Sequence, residues 1–304
     1  MSLFLYSAVF FLFFAICKKM YAEWGSIDWE KLDIKGLWLI LASLSIMANS
    51  LLQVLIWKKV LAIFHYEIPY SICFRIEMIS QIGKYLPGKV GLVFTKLIEC
   101  NKVGIPNKVS IIAASYHVGM GLYFQCLIGM ITLPVILNAT EYINIGFSIT
   151  DYTILLFIGF ILIYPQFFVC FINFFFAAIK KEPVEIYLKF YDWIYICSIF
   201  ILQAFISGCI GLFLLNTFYF IPFEKIPYIM GARSWAFLIG LLNLFAPSGI
   251  GVRDGILVEL YSYLIPIPIA FAVAIASRLA GTIVEWCLIG IALFFRSKEY
   301  RKEE

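Results

Sequence analysis

KYLPGKVG, residues 84–91, decides how the rest of the chain is read. Two lysines flank a Pro-Gly break inside a chain that is apolar almost from end to end. APSGIGVRD, residues 246–254, returns to the same theme, with Pro247 lying 160 positions after Pro87. Proline interrupts a helix, and glycine permits the turn that follows. Each break leaves apolar halves of roughly 12–17 residues, short of the ~20 needed to cross a hydrocarbon core. Residues 70–100 and 231–263 are therefore expected to form broken or re-entrant helical hairpins. Such backbone is tolerated in a membrane only where protein covers it or it lines a wet cavity.

The surroundings support a membrane setting. Of 304 residues, 63% are hydrophobic and 14% charged, and the mean hydropathy is +0.95. Soluble domains carry about 25% charged residues. The long apolar runs do not alternate with polar residues as barrel strands would. Residues 2–17, 36–57, 108–137, 153–179, 193–218 and 266–295 read as six full spans, with Pro165 expected to kink the fourth. The run at 2–17 lacks a basic leader and a small-residue cleavage site, so it reads as an anchoring helix. The net charge of +4 gives no reason to expect a nucleic-acid partner. Eight scattered cysteines and two histidines offer no metal-ligand spacing. They read as packing residues, with no cofactor and no metal.

Loop charges set an orientation. Lys58, Lys59, Lys102, Lys108, Lys180, Lys181 and Lys189 fall on one side, with the basic tail from Arg296. The loop at 138–152 has no lysine or arginine. The positive-inside rule places the basic set and both termini in the cytoplasm. The loop at 18–35 fits less well, because it carries lysines on the outer side.

Shifted by 160 residues, the chain aligns with itself: Pro87 meets Pro247, Gly91 meets Gly251, Glu99 meets Glu259, and Ile105-Pro106 meets Ile265-Pro266. Positions 87–121 hold eight identities where about three would arise by chance. Each half then reads as a span, a broken hairpin and a further span, over about 36–137 and 193–295. Three spans separate the starts of the two units, so the copies are inverted. Inverted repeats with discontinuous helices point to a transporter with its site at the repeat interface. The plainer alternative is a duplication kept for packing.

Charges inside the membrane are costly and mark function. Arg75, Lys84, Lys89, Arg253, Asp254, Glu259 and Arg278 are the expected substrate-binding residues. Pro87, Gly88, Gly91, Pro247, Gly249 and Gly251 form the hairpin tips. Turn amides before a helix, joined by lysine or arginine, suit a phosphate. Two blander readings stand beside this one. Lys84, Lys89, Lys96 and Lys102 are ordinary interface lysines, and Arg278 pairs internally with Glu259 or Glu285. His117 fits a helix histidine hydrogen-bonded to a neighbour better than a proton relay.

KYLPGKVG with Gly104-Ile105-Pro106, and PSGIGVRDG with Ile265-Pro266 and Ser277-Arg278-Leu279, resemble the two halves of the lysylphosphatidylglycerol synthase transmembrane (flippase-like) family. The resemblance covers about residues 36–295 and implies a polytopic inner-membrane protein of a bacterial or archaeal cell that translocates lipids. It singles out Pro87, Gly88, Pro247, Gly249, Gly251, Arg253 and Arg278. Asp254 stands where the family usually has glutamate. Tyr116 and His117 occupy a neighbourhood where many members carry an acid. With no aminoacyl-transferase domain in the chain, the flippase part alone is expected, without enzymatic activity.

The resulting expectation is an all-α polytopic membrane protein forming a single flippase-like domain. It has six spans and two hairpins in an inverted repeat, and it moves a phospholipid or a polyprenyl-phosphate-linked sugar for cell-envelope or surface-polysaccharide assembly. Its partner is an anionic lipid head group, with a glycosyltransferase, a lipid synthase or a second copy of the chain as further candidates. The alternatives are a non-catalytic partner of a glycosyltransferase and a transferase acting on a lipid phosphate.

Overall fold

The computed structural model describes residues 34–85, 91–140, 159, 164–178, 190–242 and 251–294. All regular structure among them is helical: α1 (Gly36–Ile63), α2 (Tyr70–Ser80), a 3-10 turn (Gln81–Tyr85), α3 (Gly91–Lys102), α4 (Asn107–Thr140), α5 (Pro165–Ala178), α6 (Phe190–Phe218), a 3-10 turn (Phe223–Lys225), α7 (Ile226–Leu242), α8 (Val252–Tyr261) and α9 (Ile267–Phe294). Four segments are long and apolar enough to cross a membrane: Gly36–Ile63, Asn107–Ile136, Phe190–Phe218 and Ile267–Phe294. They match four of the six expected spans. The run at 2–17 and the start of the run at 153–179 lie outside the described residues, as do Lys180, Lys181 and Lys189 and the tail from Arg296 used to orient the chain. Pro165 opens α5 after a bend at Tyr164; apart from Gly159, the preceding stretch that the expected kink concerns lies outside the described residues. At the first position of a helix, the N–H that proline lacks has no partner within that helix.

The helices turn large apolar side chains outward. On α9, Ile275, Leu279, Ile283 and Trp286 are exposed, while Ala270, Val273 and Ala274 are buried. Each outward Leu or Ile would forgo about 1.5–3 kcal/mol in water. Lipid removes that penalty, and the small inward residues let helices approach closely.

The contacts divide the chain into two units. One comprises Ser50–Leu127, Ile145–Gln203 and Cys287–Glu304, and contains the first hairpin. The other comprises Met1–Asn49, Ile128–Asn144 and Ala204–Trp286, and contains the second. α1, α4, α6 and α9 each contribute to both.

In the first-hairpin unit, α2 packs on α3. Gly83 makes their close approach feasible, because a Cβ there would overlap the Gly91 carbonyl and the Thr95 hydroxyl. Thr95 Oγ1 lies 2.9 Å from both the Ser80 and the Gly91 carbonyl oxygens, tying one limb to the other. Phe124 stacks on Phe200 with ring centroids 5.1 Å apart, and Tyr164 meets Trp193 edge-on at 5.0 Å.

In the second-hairpin unit, α7 packs on α8. The core joins Leu212, Leu214, Leu215, Ile229, Leu257 and Val273. Asn216 clasps the chain after α6: its Nδ2 donates to the Ile221 carbonyl at 3.0 Å, and its Oδ1 accepts the Ile221 N–H at 3.1 Å. Gly251 precedes α8 with φ +86°, a left-handed conformation that favours glycine. The hairpin-tip residues Pro87, Gly88, Pro247 and Gly249, and Lys89 of the expected substrate-binding set, lie outside the described residues.

Candidate functional site

The second-hairpin unit gathers three guanidinium groups. Arg233 comes from α7, Arg253 from the first turn of α8, and Arg278 from α9, where it is the twelfth of 28 residues. Arg278 Nη2 pairs with Asp254 Oδ2 at 2.7 Å. The same carboxylate oxygen accepts the Gly251 N–H at 3.3 Å, so Asp254 caps α8 and fastens α9 to it. The carboxylate within ion-pair distance of Arg278 is therefore Asp254, where the blander reading named Glu259 or Glu285. An i+7 spacing shows that Glu285 shares a helical face with Arg278, but it carries no information about the helix across from it.

Arg253 and Arg233 are held differently. The Arg253 stem runs against α7, where Gly240 leaves room: a Cβ on Gly240 would come within 2.8 Å of the Arg253 Cβ. Its guanidinium lies 6.0 Å from the Phe237 ring centroid. The charged neighbours it feels are Arg233, Arg278 and Asp254. Arg233 Nε donates to Ser207 Oγ at 3.0 Å, with the Tyr261 hydroxyl close by. Among the described residues, no carboxylate forms an ion pair with Arg233 or Arg253. Three cations and one carboxylate leave this cluster positive, and the amide end of α8 adds to the field. Of the expected residues, Arg253, Asp254 and Arg278 come together here. Glu259 lies further along α8, partly buried. The expected set missed Arg233. Its signal was present, as the lone cation in the apolar run IPYIMGARSWAFLIGLL, residues 226–242.

The first-hairpin unit holds a different arrangement. Arg75 Nε pairs with Glu99 Oε2 at 3.3 Å, and Lys102 pairs with the other oxygen of Glu99. Arg75 thus shares Glu99 with Lys102 within the first hairpin. Lys84 lies in the 3-10 turn, partly buried. Lys96 is no interface lysine. Its Nζ is 2.6 Å from Glu77 Oε2, and the two side chains are 4% and 2% exposed. The ammonium also sits 3.9 Å from the Trp57 ring centroid and 3.5 Å from His117 Nδ1. His117 Nε2 lies 2.8 Å from the Gln53 side-chain amide, and Gln203 donates to Gln53 Oε1 at 2.8 Å. The expectation of a hydrogen-bonded His117 agrees with this geometry. Lys102 keeps its exposed end, as an interface lysine would, while pairing with Glu99.

Compared with known proteins, the chain matches no family, and neither a curated protein nor a solved structure is similar to it.

Proposed function

We propose that this chain is a multi-pass transporter of the lipid-flippase type that moves a phosphate-bearing lipid between leaflets. In this reading it is related to the lysylphosphatidylglycerol synthase transmembrane family and is built as an inverted repeat in a cell inner membrane, with both termini cytoplasmic. One observation carries the proposal: Arg233 and Arg253 lie in an apolar hairpin without a carboxylate ion-paired to either among the described residues. An uncompensated cation in such a setting calls for an anion. Arginine presents a planar fork that fits two phosphate oxygens at once. A lipid phosphate arrives with an apolar tail that a membrane site can accept.

The element order supports the repeat. α3 ends, Ile105 is buried, Pro106 follows and α4 begins at Asn107. In the second half α8 ends, Ile265 is buried, Pro266 follows and α9 begins at Ile267, 160 positions on. The bond from Ser110 N–H to the Pro106 carbonyl has its counterpart from Ala270 to Pro266, both 3.0 Å. Arg278, held by Asp254, would orient the head group, while Arg233 and Arg253 neutralise it.

The test is leaflet exchange of labelled phospholipid and labelled polyprenyl phosphate in proteoliposomes. Wild type should exchange one of them, and Arg253→Ala and Arg233→Ala should abolish it while keeping wild-type helicity. If wild type exchanges neither lipid, the reading is lost and the non-catalytic partner takes its place.

A further inference from the structure

The Glu77–Lys96–His117 cluster belongs to the other unit and takes no part in the phosphate site described above. Three titratable groups of different chemistry stand in series there. Glu77 comes from α2, Lys96 from α3 and His117 from α4, and each is at most 3% exposed as a residue. Trp57 walls the cluster: its ring lies under the ammonium and stacks on the imidazole at 5.8 Å between centroids. Phe200 meets the imidazole edge-on at 6.3 Å. Among the described residues, charged or titratable neighbours include Lys58 from α1, the Arg75–Glu99–Lys102 group of the same hairpin, and the thiols of Cys73 and Cys100. Gln81 Nε2 lies 3.4 Å from the second oxygen of Glu77. From His117 the chain of contacts continues through Gln53 to Gln203, the fourteenth of 29 residues in α6.

The hydrogen-bond polarity of this chain depends on the proton count. As an ammonium, Lys96 has donors for Glu77, for the Trp57 face and for His117 Nδ1, and it can accept nothing. Nδ1 must then carry a lone pair, which puts the imidazole proton on Nε2. That proton needs an acceptor, so Gln53 turns its carbonyl toward His117 and its NH2 toward Gln203. The recorded amides run the other way, with Gln203 donating to Gln53 Oε1 and the Gln53 NH2 facing His117 Nε2. That direction is satisfied when Nε2 is the acceptor, Nδ1 bears the proton and Lys96 is a neutral amine able to accept it. The two directions differ by a half-turn of two amides and by one proton.

We propose that Glu77, Lys96 and His117 form a proton-binding site whose two states are an ammonium with Nε2-protonated imidazole and an amine with Nδ1-protonated imidazole. One proton separates them and is exchanged with water. On its release the imidazole stays neutral, its hydrogen is carried on the other nitrogen, and Gln53 and Gln203 reverse. A structural ion pair alone would leave one tautomer in place. The site carries a change of charge at the hairpin to the middle of α6, as a proton-coupled carrier requires. Its use in driving lipid movement rests on the transport reading; the proton site itself does not.

The chain has only two histidines, which makes the test direct. Protein labelled with 15N-histidine and carrying His65→Gln is placed in lipid nanodiscs, and the two ring-nitrogen shifts of His117 are followed across the pH range in which the protein stays folded. The expected result is a switch between Nε2–H and Nδ1–H forms in a single-proton step. Lys96→Arg, which keeps the charge but cannot give up its proton, should hold His117 in the Nε2–H form throughout. A single unchanging tautomer in the wild type overturns the proposal. So does a switch that persists in Lys96→Arg. Failure of lipid exchange with the switch intact removes the flippase reading and leaves the proton site standing.

Discussion

Asp254 does two jobs with one carboxylate. It caps α8 through the Gly251 N–H and holds Arg278 of α9. Both side chains of the pair are about 30% exposed, at 33% and 29%, so solvent weakens the pair. Asp254→Ala should lower stability by about 1–2 kcal/mol, below the range for fully buried pairs. The exchanged pair, Asp254→Arg with Arg278→Asp, separates structure from binding. Thermal unfolding should recover part of the loss, while lipid exchange should stay absent because the cations no longer sit where the head group needs them. Recovery of both would reduce Arg278 to a strut. At this scale the sequence was readable wherever one residue type is required for its conformation. Gly251 at φ +86° and Gly104 at φ +82° are such positions, and the glycines themselves announced the turns. Partner choice was not readable. Lys96 looks in sequence like any lysine at a membrane interface, and only the folding of α2 against α3 reveals that its ammonium points inward onto Glu77.

At the scale of elements, hairpin packing and lipid-facing surfaces make separate predictions. The limbs of the first hairpin touch at Gly83, where an added methyl meets the Gly91 carbonyl. Gly83→Ala should destabilise by roughly 1–3 kcal/mol, read as a lowered melting temperature in detergent, because backbone has less freedom to yield than a side-chain tip. The outward face of α9 makes the opposite kind of test. Leu279 is 58% exposed and follows directly on Arg278, the half-buried partner of Asp254. Leu279→Lys would be almost neutral on a soluble surface, whereas in a bilayer it should impair insertion by about 2.5–3.5 kcal/mol, measured as the fraction of chains integrated. The apolar runs made the long helices legible, since about twenty such residues have few other fates. Helix ends were less so. Pro165 opens α5, and composition alone does not say where a helix begins around a proline, which is at home in a first turn.

For the whole molecule, the proposed inversion has a geometric signature. If the second half is the first turned over, the two Pro-Gly breaks approach opposite faces of the membrane. Lys89→Cys and Ser248→Cys, each in a background with the native cysteines replaced, should then label with impermeant maleimide from opposite sides. Labelling from the same side would exclude the inversion and return the 160-residue correspondence to a duplication retained for packing. The correspondence itself was legible because proline, glycine and the Ile-Pro pairs fix where helices stop and start. Function was legible only as far as the charges go. The sequence marked Arg253 and Arg278, but the company of Arg233 depends on how α7 lies along α8, which no periodicity within either helix specifies.

Trp57 lies beneath an ammonium and beside an imidazole, so its excited state shares a cage with the very groups proposed to trade a proton. The indole is thus a built-in optical gauge: the emission that disappears in Trp57→Phe should brighten or dim as Lys96 changes charge, giving a clock for each proton event without any attached dye.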